Sequence, residues 1–162
     1  MGAGFRPRKP PMGFTLIELV IVIVMLSVLA VFAIGRSISS AEATVSSQAD
    51  MMAREIRHTQ MLATTWEKRL RLSITAGANG VYSVSCVTAG AAPCNSSPVI
   101  DPVTGNAMQI TLQYNVALAG PATLDFNSIG TPSAAATYTL TANGGVKTIA
   151  VQALSGFVTV TP

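Results

Sequence analysis

This 162-residue chain is short of charge: Asp, Glu, Lys and Arg make up 10% of it, against about 25% in ordinary soluble domains. With hydrophobic residues at 49%, neither an acidic disordered tail nor a collagen-like repeat fits. Histidine occurs once, as His58, and cysteine twice, as Cys86 and Cys94. A Ser-His-Asp arrangement would have only His58 as its base, and that residue lies beside Arg57 in a helical stretch, where a solvated histidine suffices as explanation. Asp101 and Asp125 are far apart in sequence, and no paired-carboxylate motif or Gly-rich phosphate loop is present. No catalytic residue, cofactor or metal site is therefore expected. The stretch Asp101–Asn106 offers a hard cation such as calcium a single carboxylate, and turn chemistry explains the same residues.

The charges that exist are unevenly placed. The first thirteen residues hold Arg6, Arg8 and Lys9 and no acid. Without those three, the formal net charge of +3 falls to zero, leaving seven basic against seven acidic residues. The isoelectric point near 9.2 thus reports a short basic leader, not a basic surface, and no nucleic-acid partner is expected. Lys68, Arg69 and Arg71 form the one basic cluster beyond the leader. Lacking interleaved aromatics, they read as cations at a helix C-terminus.

Hydrophobicity is concentrated in Phe14–Ile34, 21 residues with one charge, Glu18. As a helix this run would be roughly 31 Å long, close to the hydrocarbon thickness of a bilayer. A secretory signal peptide would have a shorter apolar region and a small-residue exit. The run is read as membrane-spanning, with the basic leader placing the N-terminus in the cytoplasm and the rest across the membrane.

A second helical pattern follows without a proline or loop. Ile38, Ala41, Val45, Ala49, Met52, Ile56, Thr59, Ala63, Trp66 and Leu70 recur at a mean spacing of about 3.6, the signature of one apolar stripe on an amphipathic helix. The spacing predicts a helix from about Phe14 to Trp66, roughly 80 Å long. Met51, Met52 and Met61 lie at helical spacing and are read as packing residues.

Beyond the helix, Leu70–Ile74 alternates, Asn79-Gly80 signals a hairpin, and Val81–Cys86 answers it. Further strands are expected at Gln109–Tyr114, Thr123–Phe126, Tyr138–Thr141, Lys147–Gln152 and Phe157–Thr161, with a turn at Asn143-Gly144-Gly145. Residues 87–107, holding Pro93, Pro98, Pro102 and Gly105, read as a long surface loop. The expected fold is α+β: a long N-terminal α-helix, membrane-spanning then amphipathic, packed on an antiparallel β-sheet head of about six or seven strands.

Met12-Gly13-Phe14-Thr15-Leu16-Ile17-Glu18-Leu19-Val20, after a basic leader and before an apolar run, resembles the processing and assembly signal of type IV prepilins and type II secretion pseudopilins. The resemblance implies the pilin fold and cleavage after Gly13 by a prepilin peptidase, with methylation of Phe14. It implies an assembly role for Glu18 as partner of the Phe14 amine of a neighbouring subunit. It also implies other pilin or pseudopilin subunits and an inner-membrane assembly platform as partners. More weakly, Leu124–Pro132, Tyr138–Thr141, Lys147–Val151 and Ser155–Val160 are similar to the end of the H-type minor pseudopilin and FimT-like group. That group includes minor pilins of mannose-sensitive haemagglutinin type systems.

The implied organisation is a removed leader at 1–13, a transmembrane or filament-core helix at 14–35, an amphipathic helix at 36–69 and a periplasmic β-rich head at 70–162. Cys86 and Cys94 then lie in an oxidising compartment, where an intramolecular disulfide is expected and two free thiols are the alternative. Two functions from different classes use this layout: a structural filament subunit held first in the bacterial inner membrane, and a membrane-anchored binding module such as an adhesin or DNA-uptake pilin. The absence of a basic C-terminal segment favours the first.

Overall fold

The computed structural model of the chain describes residues 15–162, with side chains for all of these except 31–41. The described residues fall into two units that part between Ser37 and Ile38.

Helix α1 runs Leu16–Trp66. Its end is set by Glu67, whose φ of 53° is left-handed. The Glu67 amide donates to Thr64 O (3.3 Å) and the Lys68 amide to Ala63 O (3.1 Å), the paired bonds of a Schellman motif that satisfy the last helical carbonyls. The nine strands that follow are β1 (Leu70–Thr75), β2 (Gly77–Ala78), β3 (Val81–Cys86), β4 (Gln109–Thr111), β5 (Ala117–Ala119), β6 (Thr123–Phe126), β7 (Ala136–Ala142), β8 (Gly145–Val151) and β9 (Val158–Thr161).

They form two antiparallel sheets, ordered β4-β3-β1-β6 and β2-β5-β7-β8-β9, where the alternating pattern suggested one. The first hairpin explains the division. β1 pairs β3 from Leu70↔Cys86 to Thr75↔Val81, and the connecting Gly77-Ala78 leaves that sheet to pair Leu118 and Ala117 of β5 in the second. A two-residue strand carries no periodicity, so the sequence gives no warning of it. Gly80 makes this approach possible: a Cβ there would stand 2.5 Å from the Leu118 Cβ, closer than carbon atoms pack. The second sheet's hairpin follows the expected turn, with Asn143 (φ 46°) and Gly144 (φ 85°) both in the left-handed region that a two-residue type I′ connection requires. It sets Ala142 opposite Gly145.

One hydrophobic core draws on the second half of α1 and on both sheets. From Val45 to Leu70 every member of the 3.6-residue stripe is buried except Trp66, which is partly buried against the core. The side chains of Ile38 and Ala41 lie outside those described. Thr59, the one polar member of the stripe, is buried because its Oγ1 donates to Glu55 O one turn back (2.8 Å). Period-two burial supplies the opposing faces: Leu70 and Leu72 of β1, Tyr82 and Val84 of β3, Tyr138 and Leu140 of β7, Ile149 and Val151 of β8. Each buried Leu or Ile contributes roughly 1.5–3 kcal/mol of transfer free energy.

The 87–107 segment is less of a surface loop than its prolines suggest. Val99 and Cys94 are buried, the Val99 amide donates to Val84 O (2.9 Å), and Ile100 bridges to Ala107. The segment returns beside β3 at Val84, just past the Val81–Ser83 stretch that β4 pairs.

Candidate assembly surface and polar clusters

The first turn of α1 is capped by Thr15. The Glu18 amide donates to Thr15 Oγ1 (3.3 Å) and to Thr15 O (3.1 Å). Thr15-x-x-Glu18 is the sequence form of a capping box, a signal in plain view that the apolar run obscured. Glu18 is the acid of this first turn, where a carboxylate suits the positive end of the helix dipole. Gly13 and Phe14, the residues expected to flank the cleaved bond, lie outside the described residues.

Beyond the cap, the large apolar side chains from Leu16 to Leu29 are 40–81% exposed. They occupy all sides of the helix, so no rotation hides them, and a helix apolar all round requires lipid or protein cover. Ser27 does not interrupt this surface, because its hydroxyl donates to Ile23 O (2.7 Å) and is satisfied within the helix. Among the described residues no helix is long and apolar enough to cross a membrane. The expected span, Phe14–Ile34, lies partly outside those residues.

The basic cluster does not sit at the helix C-terminus as expected: α1 has no basic residue in its last turn, and Arg71 is on β1. There it stands opposite Asp125 of β6 in the strand register. Its Nε and Nη2 donate to Asp125 Oδ1 (2.6 Å) and Oδ2 (2.9 Å), and Arg69 lies 3.6 Å from Oδ2. The Arg71 hydrogen bonds, together with the charges of Arg71 and Arg69, hold the Asp125 carboxyl below the usual carboxylate range. Two of the cluster's three cations thus share one acid. The pairing was invisible in sequence because it joins strands 54 positions apart.

His58 is not simply solvated beside Arg57. Its ring is largely covered, with Nδ1 4.0 Å from Glu55 Oε1 and Nε2 3.8 Å from Asp101 Oδ1. Both Asp101 oxygens are used by the loop itself, accepting from the Val103 amide (3.0 Å) and the Thr104 hydroxyl (2.7 Å). Those hydrogen bonds, the Val103 amide first, hold the Asp101 carboxyl below its ordinary value. Burial raises that of Glu55. Among the described residues no group of three or more His, Cys, Asp or Glu could hold a metal ion.

Cys86 and Cys94 are joined as a disulfide with Cα atoms 5.5 Å apart. Met52 packs in the core, Met51 is half-buried, and Met61 is 54% exposed, so the packing assignment fails for Met61. Polar side chains beside the stripe hold the loops in a way that composition did not suggest. The buried Gln48 amide exchanges two hydrogen bonds with the Gln113 backbone (3.0 and 3.1 Å). Gln60 Nε2 donates to Gly130 O and Ser155 O (both 2.9 Å), and Arg57 donates to Val158 O (2.9 Å).

In fold the chain is similar to the type IV minor pilin FimU of Pseudomonas aeruginosa. In one crystal form the TM-score is 0.53 at 12% identity over 73% of this chain and 88% of that one. In a second form the values are 0.51, 12%, 72% and 92%. The minor pseudopilin EpsH of the type 2 secretion system of Vibrio cholerae is similar to the same degree, with a TM-score of 0.52 and 13% identity over 72% of this chain and 95% of that one. No protein-family model and no curated protein matches the sequence. The chain has the pilin fold, a long N-terminal helix packed on antiparallel sheets.

Proposed function

We propose that the chain is a minor pilin or pseudopilin, a non-enzymatic subunit of a type IV pilus or type II secretion pseudopilus, which enters its filament through the N-terminal half of α1. The observation that carries this reading is the continuous exposure of Leu16–Leu29, at 40–81% per large apolar side chain, on a chain with the pilin fold. Such a surface calls for an apolar partner: lipid of the inner membrane before assembly, and the helices of other subunits after it. The basic leader orients the chain with its N-terminus cytoplasmic and its head periplasmic.

In this reading a prepilin peptidase cleaves after Gly13 and Phe14 becomes the methylated N-terminus. Glu18 pairs with the Phe14 amine of the neighbouring subunit at the assembly platform. A carboxylate among apolar side chains is costly unless partnered, and pairing the two charges offsets part of the desolvation while setting axial register. The likeness of Leu124–Pro132 and the C-terminal strands to the H-type and mannose-sensitive haemagglutinin groups supports a minor rather than a major subunit.

The test is the intact mass of protein recovered from a host with a prepilin peptidase. A chain beginning at methylated Phe14 is expected. An intact leader, or cleavage after Ala30 or Ala33 as in an ordinary signal peptide, contradicts the reading.

A further inference from the structure

The loop that returns beside β3 meets α1 through an arrangement that the filament reading leaves unused. His58 of α1 stands between two carboxylates, Glu55 one turn before it at 4.0 Å and Asp101 of the loop at 3.8 Å, one on each ring nitrogen. Both separations exceed hydrogen-bond length, so any attraction of the ring for the two carboxylates depends on its carrying a charge. A neutral imidazole offers one N–H and one lone pair and must turn the lone pair toward a carboxylate, whereas an imidazolium offers a donor to each.

The loop beyond Asp101 is built as a unit. The Asp101 amide donates to Asn106 O (2.9 Å) and the Gly105 amide to Asp101 O (2.8 Å), while the Asp101 carboxylate binds the Val103 amide and the Thr104 hydroxyl. None of these bonds reaches α1. The Asp101–His58 contact is therefore a tie between the helix and a loop that keeps its shape without it.

We propose that Glu55, His58 and Asp101 form a proton-operated latch that fastens the 101–106 loop to α1 in mildly acidic solution and releases it as the imidazole loses its proton. The charged and titratable groups that face the latch are Glu55 on α1, Asp101 on the loop and Tyr82 on β3, which feels the Glu55 charge. Burial and the Glu55 charge push the Tyr82 phenol up, so it stays neutral throughout. The Val103 hydrogen bond keeps Asp101 ionised in mild acid. Burial of Glu55 raises its carboxyl, so Glu55 is the first of the two acids to protonate as pH falls and sets the lower limit of the latched range. The side chains are 14–21% exposed, so salt weakens the latch only in part.

The experiment uses the full chain in detergent micelles, where the single histidine gives one resolvable imidazole titration by NMR. The amide resonances of residues 101–106 are expected to move with the same midpoint as the His58 ring, and their ¹⁵N relaxation to show greater mobility at pH 8 than at pH 5.5. Asp101→Asn should lower the proton affinity of His58 about two- to fivefold. His58→Gln should leave the loop in its mobile state at both pH values, with β-sheet resonances unchanged. The proposal is overturned if loop relaxation is the same at pH 5.5 and 8, or if Asp101→Asn leaves the His58 midpoint where it was. Loop mobility in His58→Gln that still follows pH would equally overturn it.

Discussion

The two halves of α1 solve the problem of apolar surface in opposite ways. From Val45 to Ala63 most apolar residues lie on one face and are buried in the head's core, Met61 being the exposed exception, while polar residues take most of the rest of the circumference. From Leu16 to Leu29 apolar residues take the whole circumference and remain exposed. Backbone geometry does not distinguish the halves, since both belong to one helix. What differs is where the cover comes from. A stripe is covered by the chain's own fold, whereas an apolar cylinder is not, so in the proposed reading the first half of α1 serves association and the second stability.

Substitution separates the two roles most strongly. Ile56→Ala, in the buried stripe, should destabilise the head by about 2–5 kcal/mol through lost transfer free energy and the cavity left behind, measured by chemical denaturation in micelles. Val24→Asp, in the exposed half, should leave that stability unchanged within about 0.5 kcal/mol while abolishing membrane or filament association. If Val24→Asp unfolded the head, or Ile56→Ala left it intact, the division of labour would be wrong.

The next effect in size belongs to the Cys86–Cys94 bridge, which lies wholly on the head's side of the comparison. Closing about nine residues is worth roughly 2.6 kcal/mol on the chain-entropy model. Reduction should therefore lower head stability by about that amount without affecting association, read by denaturation with and without reductant. Thiol titration of unfolded, unreduced protein should find no free sulfhydryl.

A smaller effect separates charge from packing within the head. The Asp125 carboxyl is held low mainly by the Arg71 hydrogen bonds, so its folded value lies below its unfolded one. The stability it contributes is present above the ordinary carboxylate range and lost as pH falls through the depressed value, below about pH 4. Asp125→Asn should cost about 1 kcal/mol at pH 7, given that Arg71 is partly exposed to solvent. The difference from wild type should shrink in strong acid, as the Asp125 carboxylate takes up its proton. A cost that persisted undiminished there would assign the effect to packing.

How far the sequence reveals these arrangements depends on the range of the forces involved. The stripe from Val45 to Trp66 and the Asn143-Gly144 turn were legible because helix periodicity and left-handed backbone are local properties, whereas Leu70, the expected last member of the stripe, lies beyond the helix on β1. The pilin fold followed from the Met12–Val20 resemblance together with the strand pattern. The division into two sheets was not legible, since it rests on two residues, Gly77 and Ala78, reaching a strand about 40 positions away. Arg71 with Asp125, and His58 with Asp101, were missed for the same reason: each side chain alone looks like a solvated charge, and only tertiary register supplies its partner. Gln48 and Gln60 lie beside the stripe, and the backbone groups they bond come from loops far along the chain, so no local pattern marks them. At the N-terminus the local signal was present and overlooked, because the Thr15-x-x-Glu18 cap was masked by the apolar residues around it.

Glu18 is where the exposed half of α1 most directly meets its proposed role. Its charge suits the helix end, but covering it with apolar neighbours is costly unless one of them supplies a cation. The decisive measurement is incorporation of Glu18→Ala protein into sheared filaments, or its support of secretion or attachment, in the native host. Mature protein must first be confirmed in the inner membrane. The account predicts normal cleavage after Gly13, normal membrane insertion and loss of incorporation. Incorporation and function at wild-type levels would contradict the assembly role of Glu18 and turn the reading toward a membrane-anchored binding module.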